Sequence, residues 1–351
     1  MNKKLNIELE LYALFLRDIT KRTIEECEEL MLRWYEPWRF YHNEEHLINI
    51  LKQIRKSNLD TQTDTEYVLA AIFHDIVYLP WADDNEFASE VIMESFCEHV
   101  NEEVIGNVKK LIQCTASRKM PSDPYLRRFW IMDNNILLKP TVAGLLDYEA
   151  KIRKEFQFIN YNIYKKDRTE FIKNWVKLNR NEIGDNVLFK LDMLGSYIEQ
   201  YIPKIGVYAG SFNPFHNGHL NILEKAEQVF DKVIVAVGRN TQKDTYIDNT
   251  KQIENSLIYR EVCHFNGTLT EFIEIVGEYS DVHLVRGLRN GHDLNYEQNQ
   301  LWFMNKLTDS PIKTTFFVCD EGLENISSSS LRSLSKVESD KAKELYKSLI
   351  P

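Results

Sequence analysis

The hydrophobic periodicity changes once along this chain, near Pro203, and the change calls for two differently built halves. From Leu5 to about Tyr201 the apolar residues recur at helix spacing, as in Leu47, Ile50, Leu51 and Ile54, or Val68, Leu69 and Ile72. Beyond Pro203 come short β-branched runs, Ile205 to Tyr208, Val233 to Val237, Val282 to Val285 and Thr314 to Val318, separated by amphipathic stretches such as Leu220 to Phe230. Strand and helix in alternation imply a parallel sheet with helices on its faces. The expected fold is therefore multidomain, with an all-α domain over residues 1–202 followed by an α/β domain with a parallel sheet over 203–351. A length of 351 residues agrees, being too great for one ordinary compact domain. A helix ending near Tyr201 runs almost directly into the first strand and leaves no flexible linker.

Composition excludes several partners. With 43% hydrophobic and 27% charged residues and no long Gly, Pro or Ser tract, both halves should fold. A net charge of −10 argues against a general nucleic-acid or acidic-membrane binder, so any phosphate site must be local. Cys27, Cys97, Cys114, Cys263 and Cys319 are odd in number and form no Cys-x-x-Cys pair, which suggests packing residues rather than disulfides or a thiolate zinc site. No signal-peptide pattern opens the chain, and no window approaches the roughly 18 uninterrupted apolar residues of a membrane span. The expectation is a cytoplasmic protein without a membrane or nucleic-acid partner.

Three features of the second half converge on phosphate. The first strand runs into Gly210-Ser211-Phe212-Asn213-Pro214-Phe215-His216-Asn217-Gly218-His219. This places two histidines at a helix N-terminus, where free N–H groups and the positive dipole end favour anions. Arg286-Gly287-Leu288-Arg289 ends another strand, where ligands of open α/β sheets bind. Ile326-Ser327-Ser328-Ser329-Ser330-Leu331-Arg332 offers hydroxyls and backbone N–H groups at the start of the last helix. Each alone is equally well a turn, a solvated charge or a cap. Together, each at a strand end, they define a nucleotide site.

At these residues the segment from Ile205 onward resembles the His-x-Gly-His nucleotidyltransferases, in particular the phosphopantetheine adenylyltransferases. The most discriminating stretch runs from Leu284 through Arg286, Arg289, Asp293 and Tyr296 to Glu297. The resemblance implies a Rossmann-like domain that uses ATP with Mg²⁺ and 4'-phosphopantetheine, and it implies a homo-oligomer. It makes His219 and His216 the stabilisers of charge at the α-phosphorus. Lys243 would reach the acceptor phosphate, Arg286 and Arg289 would bind phosphates, and Tyr296 and Glu297 would lie near the nucleotide. Gly210, Ser211, Phe212 and Gly218 would border the nucleotide, while Ser327, Ser328, Ser329 and Arg332 would hold the β and γ phosphates. Where the family usually has Thr-Phe-Asp, this chain has Ser211-Phe212-Asn213, which is also reminiscent of pyridine mononucleotide adenylyltransferases. A nicotinate or nicotinamide mononucleotide is thus the alternative acceptor.

The first half carries a second chemistry. Tyr41-His42-Asn43 precedes a helix with His46, and His74-Asp75 is a polar pair embedded in an otherwise apolar helix. A buried His-Asp pair is costly unless compensated, and a divalent metal would compensate it. Asp133 follows the apolar run Phe129 to Met132 and can complete the set. Imidazole and carboxylate ligands suit Mn²⁺, Fe²⁺ or Zn²⁺ better than Ca²⁺, with Mg²⁺ a further option. Without metal, the same residues would be a hydrogen-bonded pair inside a bundle. The order His, His-Asp, Asp resembles the HD-domain phosphohydrolases over residues 8 to 200. It implies His46, His74, Asp75 and Asp133 as metal ligands, His42 as general acid and Glu86 as an accessory carboxylate. A domain that only assembles or regulates the transferase is the alternative.

Overall fold

The computed structural model describes residues 4–238 and 250–351, and the chain divides into two compact units. The first comprises the chain up to Phe156 together with Lys165–Gln200; the second comprises Gln157–Tyr164 and Tyr201–Pro351.

The helices of the first half are α1 (Ile7–Thr20), α2 (Ile24–Met31), α3 (Glu44–Arg55), α4 (Thr61–Phe73), α5 (Asn85–Phe96), α6 (Glu102–Thr115), α7 (Pro124–Asp133), the short α8 (Asn135–Leu138), α9 (Val142–Glu155), α10 (Tyr161–Asn179) and α11 (Asp185–Gln200). Three of them carry the candidate ligands. The Asn43 side chain caps α3 by accepting from the Glu45 and His46 N–H groups, which fixes His46 in the first turn. Asp60 caps α4, whose residues Glu66 to Phe73 are all buried, as expected of a helix apolar all round. Asp123 caps α7 with Pro124 at its first position, and α7 ends on Asp133. One expectation needs correction here: α4 stops at Phe73, so His74 is its C-cap and Asp75 lies just beyond, not inside the helix.

The second unit is a five-stranded parallel sheet in the order β3-β2-β1-β4-β5, with β1 (Lys204–Gly210), β2 (Lys232–Val237), β3 (Glu261–His264), β4 (Asp281–Leu288) and β5 (Thr314–Val318). Its helices are α12 (Asn217–Glu227), α13 (Thr250–Ser256), α14 (Leu269–Gly277), α15 (Gly291–Met304), α16 (Ser328–Leu334) and α17 (Asp340–Ser348). Four strands coincide with the β-branched runs. The fifth, β3, reads Glu-Val-Cys-His and gives no such signal, because a short edge strand need not be apolar. The serine run opens α16, and α17 follows it, so α16 is not the last helix.

The order in which successive strands are added reverses between β1 and β4, all strands staying parallel. That crevice, at the carboxyl ends of the strands, is where such sheets bind ligands. Gly287 makes it close-packed, since a Cβ there would lie 2.8 Å from Ile222 Cγ1 of α12. Residues 157–164 join this unit through Lys232. Its buried ammonium meets the Glu261 carboxylate at 2.7 Å and donates to the carbonyls of Gln157, at 2.6 Å, and Ile159. A single cut at residue 202 cannot describe this grouping.

Candidate active sites

In the second unit a cavity of about 310 Å³ opens at the switch point. His216 and His219 line it from α12, Gly218 lies between them, and Arg289, Tyr296 and Glu297 face it from the end of β4 and from α15. Ser327 and Ser328 close it from α16. His216 is the N-cap of α12, and the two imidazoles stack with centroids 3.6 Å apart. Burial, followed by the Arg289 charge, pushes His216 down to about 4. Burial likewise holds His219 well below the usual imidazole range, with His216 and Arg289 adding to it. Both rings are neutral at pH 7. The His216 backbone N–H points to His219 Nδ1 at 3.3 Å, so the neutral His219 ring carries its proton on Nε2. His216 Nδ1 is buried and has no hydrogen-bond partner among the described residues. A buried polar atom left in this state fits an anionic ligand group.

The remaining residues divide. Arg289 is held by Asp293 through two contacts of 3.0 Å, which keeps its charge fixed at the rim. Arg286 does not line the cavity: it donates to the Ala209 carbonyl at 3.0 Å and pairs with Glu297 at 3.0 Å. Gly210 is part of the sheet ladder, its carbonyl accepting from Gly238 at 3.0 Å. Phe212, at φ 39°, is buried against Tyr208, Phe215 and His219. Gly210, Ser211 and Phe212 are thus absent from the cavity wall, and so are Ser329 and Arg332. Arg332 donates to the Asn213 carbonyl and to Ser329 Oγ, and Ser328 Oγ donates to the Pro214 carbonyl at 3.0 Å. These bonds clamp α16 onto the turn that delivers the histidines. Lys243 lies outside the described residues. Sequence reasoning gave no role to Asp293, although its place four residues after Arg289 is an ion-pair spacing. Cys319 and Leu323, which also line the wall, had no signal.

In the first unit His46, His74 and Asp75 bring one ligand atom each within 4.8 Å of one another. Asp133 Oδ1 lies 3.1 Å from His46 Nε2 and 3.5 Å from His74 Nε2. His74 donates from Nδ1 to the Ala71 carbonyl at 2.9 Å, so in the neutral ring its Nε2 is a lone pair. That lone pair faces His46 Nε2 at 3.4 Å and Asp75 Oδ2 at 3.3 Å. Burial would lower His74, but Asp75 and Asp133 raise it well above the usual imidazole value; a divalent cation could take the place of that proton, and this donor set fits a borderline divalent metal. Burial works against the Asp75 charge, yet His74, His42 and His46 hold its carboxyl far below the ordinary range. Burial likewise opposes charge on Asp133, which His46 and His74 hold down. Glu86 is pushed up by burial, with Asp75 and Asp133 adding to it, which marks it as a neighbour of the cluster.

His42 sits with its ring centroid 5.7 Å from that of His46, and its Nδ1 meets Glu155 Oε2 at 2.8 Å. Burial would lower His42, but Glu155 raises it above the usual value. Glu155 also accepts the successive N–H groups of Phe40, Tyr41 and His42 at 2.9, 2.7 and 2.8 Å and the Tyr78 hydroxyl at 2.7 Å. Arg39 pins the same loop by donating to the carbonyls of His42, Asp75 and Ile76. No local pattern links Glu155 to a loop over a hundred residues upstream; the resemblance to the HD-domain phosphohydrolases extends over Tyr148 and Ile152 to Phe156 but gave Glu155 no role.

The comparisons follow this division. The cytidylyltransferase-like family profile matches residues 207–334. Similar proteins include the phosphopantetheine adenylyltransferases of Streptococcus uberis (34% identity over 37% of this chain and 81% of the relative), Lactococcus lactis (33%, 37% and 82%) and Clostridium botulinum (34%, 38% and 85%). A solved Vibrio parahaemolyticus structure named for a nicotinate-nucleotide adenylyltransferase aligns with 41% of this chain and 91% of its own at 18% identity and a TM-score of 0.29, too distant to bear on fold or acceptor. The second unit is a nucleotidyltransferase domain. Through it the chain belongs to the phosphopantetheine adenylyltransferase family. Among the described residues no helix is long and apolar enough to cross a membrane.

Proposed function

We propose that the second unit transfers the adenylyl group of ATP to 4'-phosphopantetheine, forming dephospho-coenzyme A and pyrophosphate. The observation that carries this reading is the pair of neutral, stacked imidazoles at the N-terminus of α12, one with an orphaned Nδ1, inside the switch-point cavity. A phosphate oxygen of the acceptor attacks the α-phosphorus in line. A new P–O bond forms as the bond to the β-phosphate oxygen breaks, and pyrophosphate leaves with Mg²⁺ that arrives with ATP. Such a reaction asks the protein mainly for positioning and charge stabilisation. His219 Nε2–H and His216 Nδ1 donate to the α-phosphate, Arg289 supplies fixed positive charge, and the N-terminus of α16 receives the leaving phosphates. A pyridine mononucleotide acceptor is the second reading, favoured by Asn213. Pyrophosphate release from ATP tests both: we expect it with 4'-phosphopantetheine, and a response only to nicotinamide or nicotinate mononucleotide would overturn the first reading.

For the first unit we propose an HD-type, metal-dependent phosphohydrolase of a small phosphoester. His46, His74, Asp75 and Asp133 would hold the metal, which supplies water activated towards a pKa of about 7. His42, held at Nδ1 by Glu155, is poised to pass a proton from Nε2 to the leaving oxygen, and Tyr78 and Arg39 keep its loop in place. We expect stoichiometric Mn²⁺ binding that Asp75→Asn abolishes. No stoichiometric metal, with no phosphoester hydrolysed in a Mn²⁺ screen, would leave the assembly role standing instead.

A further inference from the structure

The candidate metal cluster opens onto a cavity of about 580 Å³ whose wall includes His46, Asp133 and Tyr148. A second cavity of about 520 Å³ shares Gln53, Lys56, Met132 and Lys139 with it, so the two form one groove. One side of the groove is a single face of α3. His46, Asn49, Gln53 and Lys56 lie on it, and ten residues at a rise of 1.5 Å put Lys56 roughly 15 Å along the helix from His46. Gln53 Nε2 donates to the Met132 carbonyl at 3.1 Å, which ties this face to α7. Arg128 and Pro124 of α7 line the far cavity beside Lys56.

Charge along the groove is uneven. The other lysines of this wall are already neutralised, Lys151 by Glu45 at 3.3 Å and Asp147 at 3.1 Å, and Lys52 by Glu8 at 3.3 Å. Ile50, Ile136, Met132 and Gln53 give the wall an uncharged stretch. At the far end Lys56, Lys139 and Arg128 have no carboxylate partner among the described residues. In a chain of net charge −10, three uncompensated cations gathered at one end of a groove are a local anion site.

We propose that the first unit takes an extended small molecule bearing two phosphate groups roughly 15 Å apart. One phosphate lies at the metal cluster, a neutral middle crosses Met132 and Ile136, and the second phosphate is held by Lys56, Lys139 and Arg128. This rests on the hydrolase reading and adds the substrate class to it. The test is calorimetric binding to the full chain in the presence of Mn²⁺, with 1,10-decanediol bisphosphate compared against decyl monophosphate. The bisphosphate should bind about tenfold to a hundredfold more tightly, the worth of one well-made charged contact set. The double variant Lys56→Gln, Lys139→Gln should remove that advantage and leave Mn²⁺ binding unchanged; both side chains are exposed, so the fold tolerates the change. Equal affinity for the two probes, or an advantage that survives the double variant, would overturn the proposal while leaving the hydrolase reading intact. Failure of the unaltered chain to bind Mn²⁺ would sink both.

Discussion

His219→Ala loses adenylyl transfer by about a hundredfold to a thousandfold, the usual consequence of removing one donor to developing charge. The second unit should nevertheless stay folded. The ring stacks on His216 at 3.6 Å and touches Phe212 and Phe215 at centroid distances of 5.1 and 5.4 Å, and among the described residues its hydrogen bond to the backbone is the long one of 3.3 Å from His216. Truncation therefore removes some aromatic contact and strands one weak donor, a modest loss. The effect should fall on kcat more than on the KM for ATP, because a neutral donor binds an evolving charge better than a resting phosphate. Circular dichroism and steady-state pyrophosphate release together decide it. Near-normal turnover in a folded variant would remove His219 from the mechanism.

The largest effect on stability belongs to Glu155→Ala. The carboxylate is fully buried and is met by three backbone N–H groups, His42 Nδ1 and the Tyr78 hydroxyl. Its removal strands all five partners in a place water does not reach. Breaking a buried charged network from one side costs about 3 to 5 kcal/mol. For a unit of this size that lowers the unfolding midpoint by about 10 °C. Glu155→Gln separates folding from chemistry. Its amide oxygen can still accept the three N–H groups, but its NH₂ group meets the Tyr78 O–H and cannot stabilise a proton on His42. We expect a fold close to that of the unaltered chain, with phosphoester hydrolysis reduced about tenfold to a hundredfold, as is typical when a supporting partner is lost. Differential scanning calorimetry and a Mn²⁺-dependent hydrolysis assay on both variants check this. A Glu155→Ala chain that melts with the unaltered one would show that the loop 40–42 is held by other means.

Much of the architecture was legible before folding because it rests on local chemistry. The shift from helical spacing to β-branched runs gave the two textures, and Tyr41-His42-Asn43 stood ahead of the helix that carries His46; Asp60 and Asp123, which cap the helices that lead to His74 and end on Asp133, carried no such reading. What escaped notice was set by partners far away in the chain. β3 is a strand because β2 pairs with it, not because Glu-Val-Cys-His prefers to be one. Residues 157–164 join the second unit because Lys232, itself buried, takes their carbonyls.

The same division holds at the sites. The sequence by itself offered the side chains that could do chemistry: His216 and His219 flanking Gly218 before a helix, and His46, the pair His74-Asp75 and Asp133, although it set that pair inside a helix that ends at Phe73. Spacing along a turn or helix fixes such positions, and no distant contact is needed to read them. Only the tertiary structure decided the protonation and the company of these groups. It buried the two transferase imidazoles so that both are neutral, and it turned Arg286 towards Ala209 and Glu297 while leaving Arg289 at the cavity. It gave Arg332 to the turn instead of to a phosphate. It also brought Glu155 to His42 across 113 residues. Burial and long-range pairing set charge and orientation, and neither is encoded in any short stretch of chain.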